Sequence, residues 1–315
     1  MIADAWSRGV RGFDVAAALD LFDSTAFGDR PEGYSRGGME PYLRLGWVPT
    51  ESGGSSASRT LEFAWADDAL ANLAAAAGRP DEEATFRARG RSYANIYDPA
   101  QGFFVGRSEA GTFEVLDGAN EWTEVYAEGN AWQYLWLAPH DQGGLAETLG
   151  GTETALMRLR QLFNESERER RTITPPAWYW QANEPDIHAP FLFALWGSPD
   201  EAARWSAWAR AEHYDDTPAG IPGNDDSGTM SAWYLFSALG LYPIAGSATY
   251  AIASPAVNRA VIHRDAGDLI IEAPNAAPGV FTPASLTVDG TVRADRATIA
   301  HDELQDGATL VFDLR

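Results

Sequence analysis

Apolar positions recur at helical spacing over most of the chain and at strand spacing near its end. Val15, Leu19, Phe22 and Ala26 fall on one stripe behind Asp14, whose short carboxylate suits a helix N-cap. Ser58 opens a second predicted helix, which places Leu61, Trp65 and Leu73 inside and stops at Gly78. Asp81-Glu82-Glu83 puts negative charge into the first turn of the next, where the helix dipole favours it. A further helix is predicted from Thr152 to Phe163. Ser198-Pro199-Asp200-Glu201 combines an N-cap residue, a proline at the first helical position and a glutamate three residues on. The last long helix runs from about Gly228 to Leu239, closed by Gly240 and Pro243.

The period then changes. Tyr250–Ala253, Ala260–His263, Leu269–Ile271 and Leu310–Phe312 read as short strands, and Asp289-Gly290 between Leu286–Val288 and Thr291–Arg293 is a two-residue hairpin signal. The pattern predicts a mainly α region over 1–243 and a β region over 244–315. No clean internal repeat is present. Long loops, Gly28–Ala57 and Tyr97–Glu121, join helices and carry Tyr34, Tyr42, Trp47, Phe103 and Phe104. Such rings either stack on the apolar face of a sugar or pack beneath the loops and fix them.

Composition narrows the chemistry. The chain has 315 residues and 45% hydrophobic content, enough for one large domain or one with a small companion. It has no cysteine, and each of its 23 basic residues is arginine. Thiol catalysis, zinc–thiolate sites and lysine Schiff bases are therefore excluded. The net charge of -22 repels phosphate backbones and acidic membranes, which argues against nucleic-acid and membrane partners. No apolar run approaches the roughly 18 residues of a membrane helix, and Met1-Ile2-Ala3-Asp4 does not begin a recognisable signal peptide. Carboxylates, histidines, hydroxyls and arginines are left to do any chemistry.

Three segments set polar residues where a helical core would not want them. In Glu128-Gly129-Asn130-Ala131-Trp132-Gln133-Tyr134, a carboxylate stands among Trp122, Tyr126, Trp132, Tyr134 and Trp136. Apolar surroundings favour its protonated form, as a general acid requires; the alternative is an exposed residue at a helix start. In Trp178-Tyr179-Trp180-Gln181-Ala182-Asn183-Glu184-Pro185-Asp186-Ile187-His188, the oxygen donors suit calcium, and the alternative is a polar turn capping a helix. In Gly223-Asn224-Asp225-Asp226-Ser227-Gly228, paired carboxylates precede a helix, so either one serves as a general base or they merely cap it. Asp67 and Asp68 are neighbours on a helix pointing different ways, and Glu167–Arg171 reads as a solvated charge run.

Four blocks, Ser58-Arg59-Thr60-Leu61-Glu62-Phe63-Ala64, Glu128 to Tyr134, Asn183-Glu184-Pro185 and Gly223 to Tyr234, resemble glycoside hydrolase family 92, and Pro139-His140-Asp141 and Phe236-Ser237-Ala238-Leu239-Gly240-Leu241-Tyr242-Pro243 also fit it. The resemblance implies an (α/α)6 helical toroid, here partial, followed by a small C-terminal β-sandwich segment. It implies a calcium-dependent, inverting exo-α-mannosidase acting on terminal α-linked mannose of a glycan. Glu128 then resembles the general acid and Asp226 the general base. Asn224, two residues before the base, assists it, and Asp225 lies beside it. Asn183 and Glu184 resemble the Ca2+-binding segment, with Trp178, Tyr179 and Gln181 near the sugar. Trp178-Tyr179 stand where members that prefer 1,2-linked mannose carry a His-Glu pair. Such inverting chemistry requires carboxyl groups about 6.5–9.5 Å apart, one protonated and one ionised.

Family members are considerably longer and are often secreted, periplasmic or on the cell surface. The resemblance covers their C-terminal part, so the missing N-terminal half is an expected partner, and the β region is expected to expose apolar surface. About eight helices are predicted here, fewer than the two rings of six in a complete toroid. Two alternatives stand beside this reading: another (α/α)6 glycosidase acting on α-glucosides, and a non-catalytic mannoside-binding or structural fragment.

Overall fold

The computed structural model describes residues 1–28, 36–169 and 176–315; Tyr34 and the end of the charge run, Arg170 and Arg171, lie outside them. The chain forms two compact units, Met1–Tyr179 and Trp180–Arg315. The unit boundary does not coincide with the change from helix to strand, because the second unit contains both.

The first unit holds helices α1 (Ile2–Ser7), α2 (Val15–Ala26), α3 (Met39–Leu45), α4 (Ser56–Ala76) and α5 (Pro80–Arg89). A short antiparallel pair follows, β1 (Tyr97–Asp98) with β2 (Phe103–Phe104), then α6 (Ala131–Tyr134), α7 (Gln142–Thr148) and α8 (Thr152–Glu169). Asp14 caps α2 as expected, its carboxylate accepting from the amides of Ala16 at 3.0 Å and Ala17 at 3.1 Å. The predicted stripe faces inward: Leu19 and Ala26 are buried with Leu70, Leu73, Ala74 and Phe86, and Val15 and Phe22 pack against them. The acidic first turn of α5 also forms as expected.

Two features of this unit differ from the sequence reading, and a third adds to it. The helix α4 begins at Ser56, because Ser55 turns left-handed (φ +62°) and Ser58 instead uses its hydroxyl to accept from the amide of Ala127 at 2.8 Å. Trp65 is only half-buried on that helix. Asp67 is fully buried, ringed by Arg36 Nη1 at 2.7 Å, Arg89 Nε at 2.8 Å and the Tyr42 hydroxyl at 3.0 Å. A carboxylate so enclosed is retained only when its charge and lone pairs are satisfied. The stretches expected as long loops contain α3 and the β1–β2 pair, and the rings of Tyr42, Phe103 and Phe104 are buried on these elements.

In the second unit, α9 (Ala189–Leu195), α10 (Pro199–His213) and α11 (Thr229–Ala238) precede two sheets. One is β3 (Leu239–Pro243), β4 (Thr249–Pro255) and β9 (Thr298–Ala300), in the order β3-β4-β9. The other is β5 (Arg259–Ile262), β6 (Leu269–Glu272), β7 (Pro283–Val288), β8 (Thr291–Val292) and β10 (Ala308–Leu314), in the order β5-β6-β10-β7-β8, with α12 (Asp302–Gln305) leading into the last strand. The expected hairpin forms, with Asp289 and Gly290 both at positive φ, as such a turn demands. Strand β10 runs parallel to β6 and antiparallel to β7.

Leu241 and Ile252 of one sheet and Ile271, Leu286, Leu310 and Phe312 of the other share one core. That core explains why the expected apolar surface is not found: among described residues from 244 onward, the exposed large hydrophobic is Val292, on an edge strand. Leu239–Pro243, expected as a helix end and stop, instead pairs with β4, placing Leu241 opposite Ile252. Buried Arg210 on α10 fastens this unit internally, donating to the Ser237 carbonyl at 2.8 Å, the Ser237 hydroxyl at 2.6 Å and the Ser254 carbonyl at 3.2 Å. Burial brings its pKa down to about 10, which leaves it charged at neutral pH. No helix among the described residues is long and apolar enough to cross a membrane.

Candidate active site

In the first unit, Glu128 sits on left-handed backbone (φ +54°), two residues before the N-cap of α6. It is exposed, not enclosed by the tryptophans around it in sequence, so the expected apolar pocket is not built by these neighbours within the chain. What is enclosed is its support. Asn130 and Gln133 form a reciprocal capping box, each side-chain oxygen accepting from the other's backbone amide at 3.1 and 3.2 Å. Their remaining amide hydrogens reach a distant strand of chain. Gln133 Nε2 donates to the carbonyls of Pro176 and Trp178, both at 2.9 Å, and Asn130 Nδ2 to that of Ala177 at 3.0 Å.

Gly129 has a specific reason to be glycine: a Cβ there would meet Tyr134 Cε2 at 2.8 Å. Tyr134 in turn stacks on Tyr126 and donates to the carbonyl of Ala127, the residue before Glu128. The Ser58-Arg59-Thr60 block works at the same place. Ser58 holds Ala127, and Arg59 gathers the carbonyls of Gly37, Ser52 and Gly53 at 2.7–3.2 Å. The Glu128 turn is therefore set from both sides, by the half-buried Ser58–Ala127 bond before it and the buried Asn130–Gln133 box after it. Trp178 is half-buried beside Trp132, with ring centroids 4.9 Å apart, whereas Tyr179 is buried against Phe163.

In the second unit, Trp180–Asn183 closes a turn through the Asn183 amide and the Trp180 carbonyl at 3.1 Å. Asp186 is fully buried beneath it and accepts from the Trp180 amide at 3.1 Å. Burial pushes the Asp186 carboxyl well above the usual carboxylate range, with that amide opposing. Gln181 is fully buried and donates its side-chain amide to the Tyr214 hydroxyl at 3.0 Å, so its place is within the scaffold of the turn. Asn183 is nearly buried and Glu184 half-buried, two oxygen-bearing side chains next to each other. Their chemistry suits a hard cation such as calcium. Among the described residues no three His, Asp or Glu side chains converge as ligands. Calcium takes about 6–8 oxygens, so backbone carbonyls, water or sugar hydroxyls would complete any such shell.

The two adjacent carboxylates in the loop before α11 differ in their surroundings. Asp225 accepts from the Ser231 amide at 2.8 Å and the Ser231 hydroxyl at 2.9 Å, and these bonds hold its carboxyl below the usual range. It is the cap. Asp226 uses its backbone carbonyl for Thr229, at 2.8 Å to the hydroxyl, and carries an exposed side chain on left-handed backbone (φ +43°). Asn224 is exposed beside them. Gly223, also left-handed, is pressed against the preceding turn: a Cβ on it would lie 2.8 Å from Ala182 Cβ and 2.9 Å from Ala182 O. The structure thus brings the Gln181–Glu184 turn and the Asn224–Asp226 loop together within one unit. The sequence reading missed the bridging role of Tyr214, which no local motif signals.

Residues 1–315 match the glycosyl hydrolase family 92 catalytic domain. The family GH92 inverting mannosidase BT2199 of Bacteroides thetaiotaomicron superposes with a TM-score of 0.91 at 27% identity, over 99% of this chain and 45% of that one. The family GH92 α-mannosidase BT3965 of the same organism gives 0.88 at 30% identity, over 99% and 41%; a structure of it in complex with mannoimidazole is similarly matched. A protein described as an uncharacterized secreted glycosidase of Arthroderma benhamiae is 26% identical over 293 residues, 81% of this chain and 36% of that protein. The chain spans less than half the length of these relatives. With the catalytic-domain pattern matched across all its residues and two mannosidases sharing its fold, this chain belongs to glycosyl hydrolase family 92.

Proposed function

We propose that the chain carries the acid, base and metal-binding segments of a calcium-dependent, inverting exo-α-mannosidase that removes terminal α-linked mannose from glycans. One observation carries the reading beyond family membership. Among the described residues five non-glycines lie at positive φ, and Glu128 and Asp226 are two of them. Of the others, Ser55 precedes α4, Ser227 continues the Asp226 turn and Asp289 lies in the hairpin. Left-handed backbone at a non-glycine costs on the order of 1 kcal/mol, and such strain is concentrated at working sites. Here it falls on the two carboxylates whose roles the family suggests.

In this mechanism Glu128 donates its proton to the glycosidic oxygen as the bond to C1 breaks. Asp226 takes a proton from the water that attacks C1 on the opposite face, so the product is β-mannose. Asp225 holds the loop, and Asn224 helps orient the water. Asn183 and Glu184 would hold calcium, which supplies positive charge and ligates sugar hydroxyls in a site without lysine. The helices would form part of an (α/α)6 toroid, completed by the N-terminal half that the longer relatives contain.

The test follows the anomer released from α-mannosides by NMR, with calcium and with chelator. Calcium-dependent appearance of β-mannose is expected. Glu128→Gln should lose roughly 10²–10⁴-fold on an unactivated α-mannobiose and much less on a dinitrophenyl α-mannoside, whose leaving group needs no proton. Asp226→Asn should lose as much on both. Initial formation of α-mannose would overturn the inverting assignment. Release of glucose from α-glucosides in preference to mannose would favour a different glycosidase, and binding without turnover a lectin-like role.

A further inference from the structure

We propose that Tyr214 is a positioning residue that ties the Trp180–Glu184 turn to the Asp226 loop through a single phenol. The inference rests on the functional reading above only in taking Asn183, Glu184 and Asp226 as the working groups.

Tyr214 directly follows α10 and lies in extended backbone, φ -123° and ψ 145°. Its hydroxyl has two partners on different segments. It accepts from Gln181 Nε2 at 3.0 Å and donates to the carbonyl of Met230 at 3.0 Å. Gln181 is fully buried and belongs to the turn that carries Asn183 and Glu184. Met230 is fully buried in the first turn of α11, four residues after Asp226, and its amide donates back to the Asp225 carbonyl at 3.3 Å. The chain Gln181–Tyr214–Met230–Asp225 therefore runs from the oxygen-rich turn to the residue beside the proposed base.

The ring is fixed independently of the hydroxyl. It lies parallel to Trp233, with centroids 5.7 Å apart and planes 1° apart, and Trp233 donates from Nε1 to the carbonyl of Ile187 at 2.7 Å. Tyr234 packs on it at 5.0 Å. Arg210, one helical turn earlier, anchors the end of α10 to Ser237 and Ser254. The phenol is thus a rigid strut with a two-way hydrogen bond at its tip. Burial raises its pKa out of the range in which it could ionise, so the hydroxyl keeps the proton it donates to Met230. The pressed contact of Gly223 on Ala182 couples the same two segments by shape; the Tyr214 hydroxyl couples them by direction.

The deciding variant is Tyr214→Phe in the full chain, which keeps the ring on Trp233 and deletes only the hydroxyl. Hydrogen exchange followed by mass spectrometry should speed up several-fold in both the 180–184 and the 225–231 segments, with exchange in the sheets unchanged. Gln181→Met removes the donor at the far end and should also loosen 225–231, because its route there passes through Tyr214. In turnover, Tyr214→Phe should lower kcat about tenfold with KM for an α-mannoside changed by less than about twofold, and raise the half-saturating calcium concentration. That split identifies loss of alignment and not loss of ground-state binding. Exchange that changes in one segment alone, or in neither, overturns the strut. Unaltered kcat with both segments loosened overturns its positioning role. A wild-type chain that releases no mannose counts against the functional reading, while the exchange result still decides the coupling.

Discussion

The Glu128 turn and the Asp226 loop share a design at the backbone and differ in what enforces it. Both leave a carboxylate exposed on left-handed backbone. Around Glu128 the enforcement is long-range and buried. Asn130 and Gln133 reach more than forty residues along the chain to Pro176, Ala177 and Trp178. Beside Asp226 the carboxylate contacts are local and wet: Asp225 reaches six residues to Ser231, at the protein surface. Buried amides left without partners cost far more than exposed ones, so the first turn depends on its buried clamp, whereas at the second the fold acts on the flanks of the loop, through Tyr214 and Gly223, and the carboxylate contacts themselves are exposed.

Three perturbations would break or sharpen the contrast. The largest effect is expected for Asn130→Ala, which removes the cap of α6 and strips the Ala177 carbonyl of a donor, in a residue with no exposed surface. A loss of about 2–4 kcal/mol in urea unfolding is expected; a loss below about 0.5 kcal/mol would mean the clamp is dispensable. Asp225→Ala should lower Tm by no more than about 2 °C, yet speed amide exchange at Ser231 and reduce turnover. A large drop in Tm would place the loop among the elements that hold the fold.

The smallest effect separates the two regions by pH alone. The folded-state pKa of Asp225 is depressed, so the cap it forms is fully present above the unfolded value near 3.8 and is lost as pH falls through the lower folded value. The Asn130–Gln133 box contains no group that titrates there. NMR of the Ser231 and Gln133 amides from pH 5 downward should show the Ser231 signal moving first. Movement of Gln133 at the same pH would mean that the two supports are linked.

Much of the fold was legible in residue order, and particular residues show why. Asp14 capped its helix, Ser198-Pro199 opened one, and Asp289-Gly290 made a hairpin, because each signal acts over a few residues. The strand at Leu239–Pro243 was not legible. Its apolar residues continue a helical run, and only pairing with β4 gives its backbone groups partners. The burial of Asp67 was not legible for a related reason: the arginines that neutralise it lie 31 and 22 residues away. In the candidate site, nothing in the residue order distinguishes the side chains of Asp225 and Asp226, and the hydrogen bonds to Ser231 show that Asp225 is the one engaged with α11.

The sequence alone determined the available chemistry. Without cysteine or lysine, and with 45 acidic residues, it left carboxylates and oxygen donors as the working groups and marked the three segments that carry them. Only the tertiary structure decided which of these polar groups are scaffold and which face water. Gln181, Asp186, Asn130 and Gln133 are enclosed and committed to partners, whereas Glu128 and Asp226 are exposed on strained turns. The physical reason is that burial and hydrogen bonding depend on segments far apart in the chain, and a polar side chain shows neither until those segments meet.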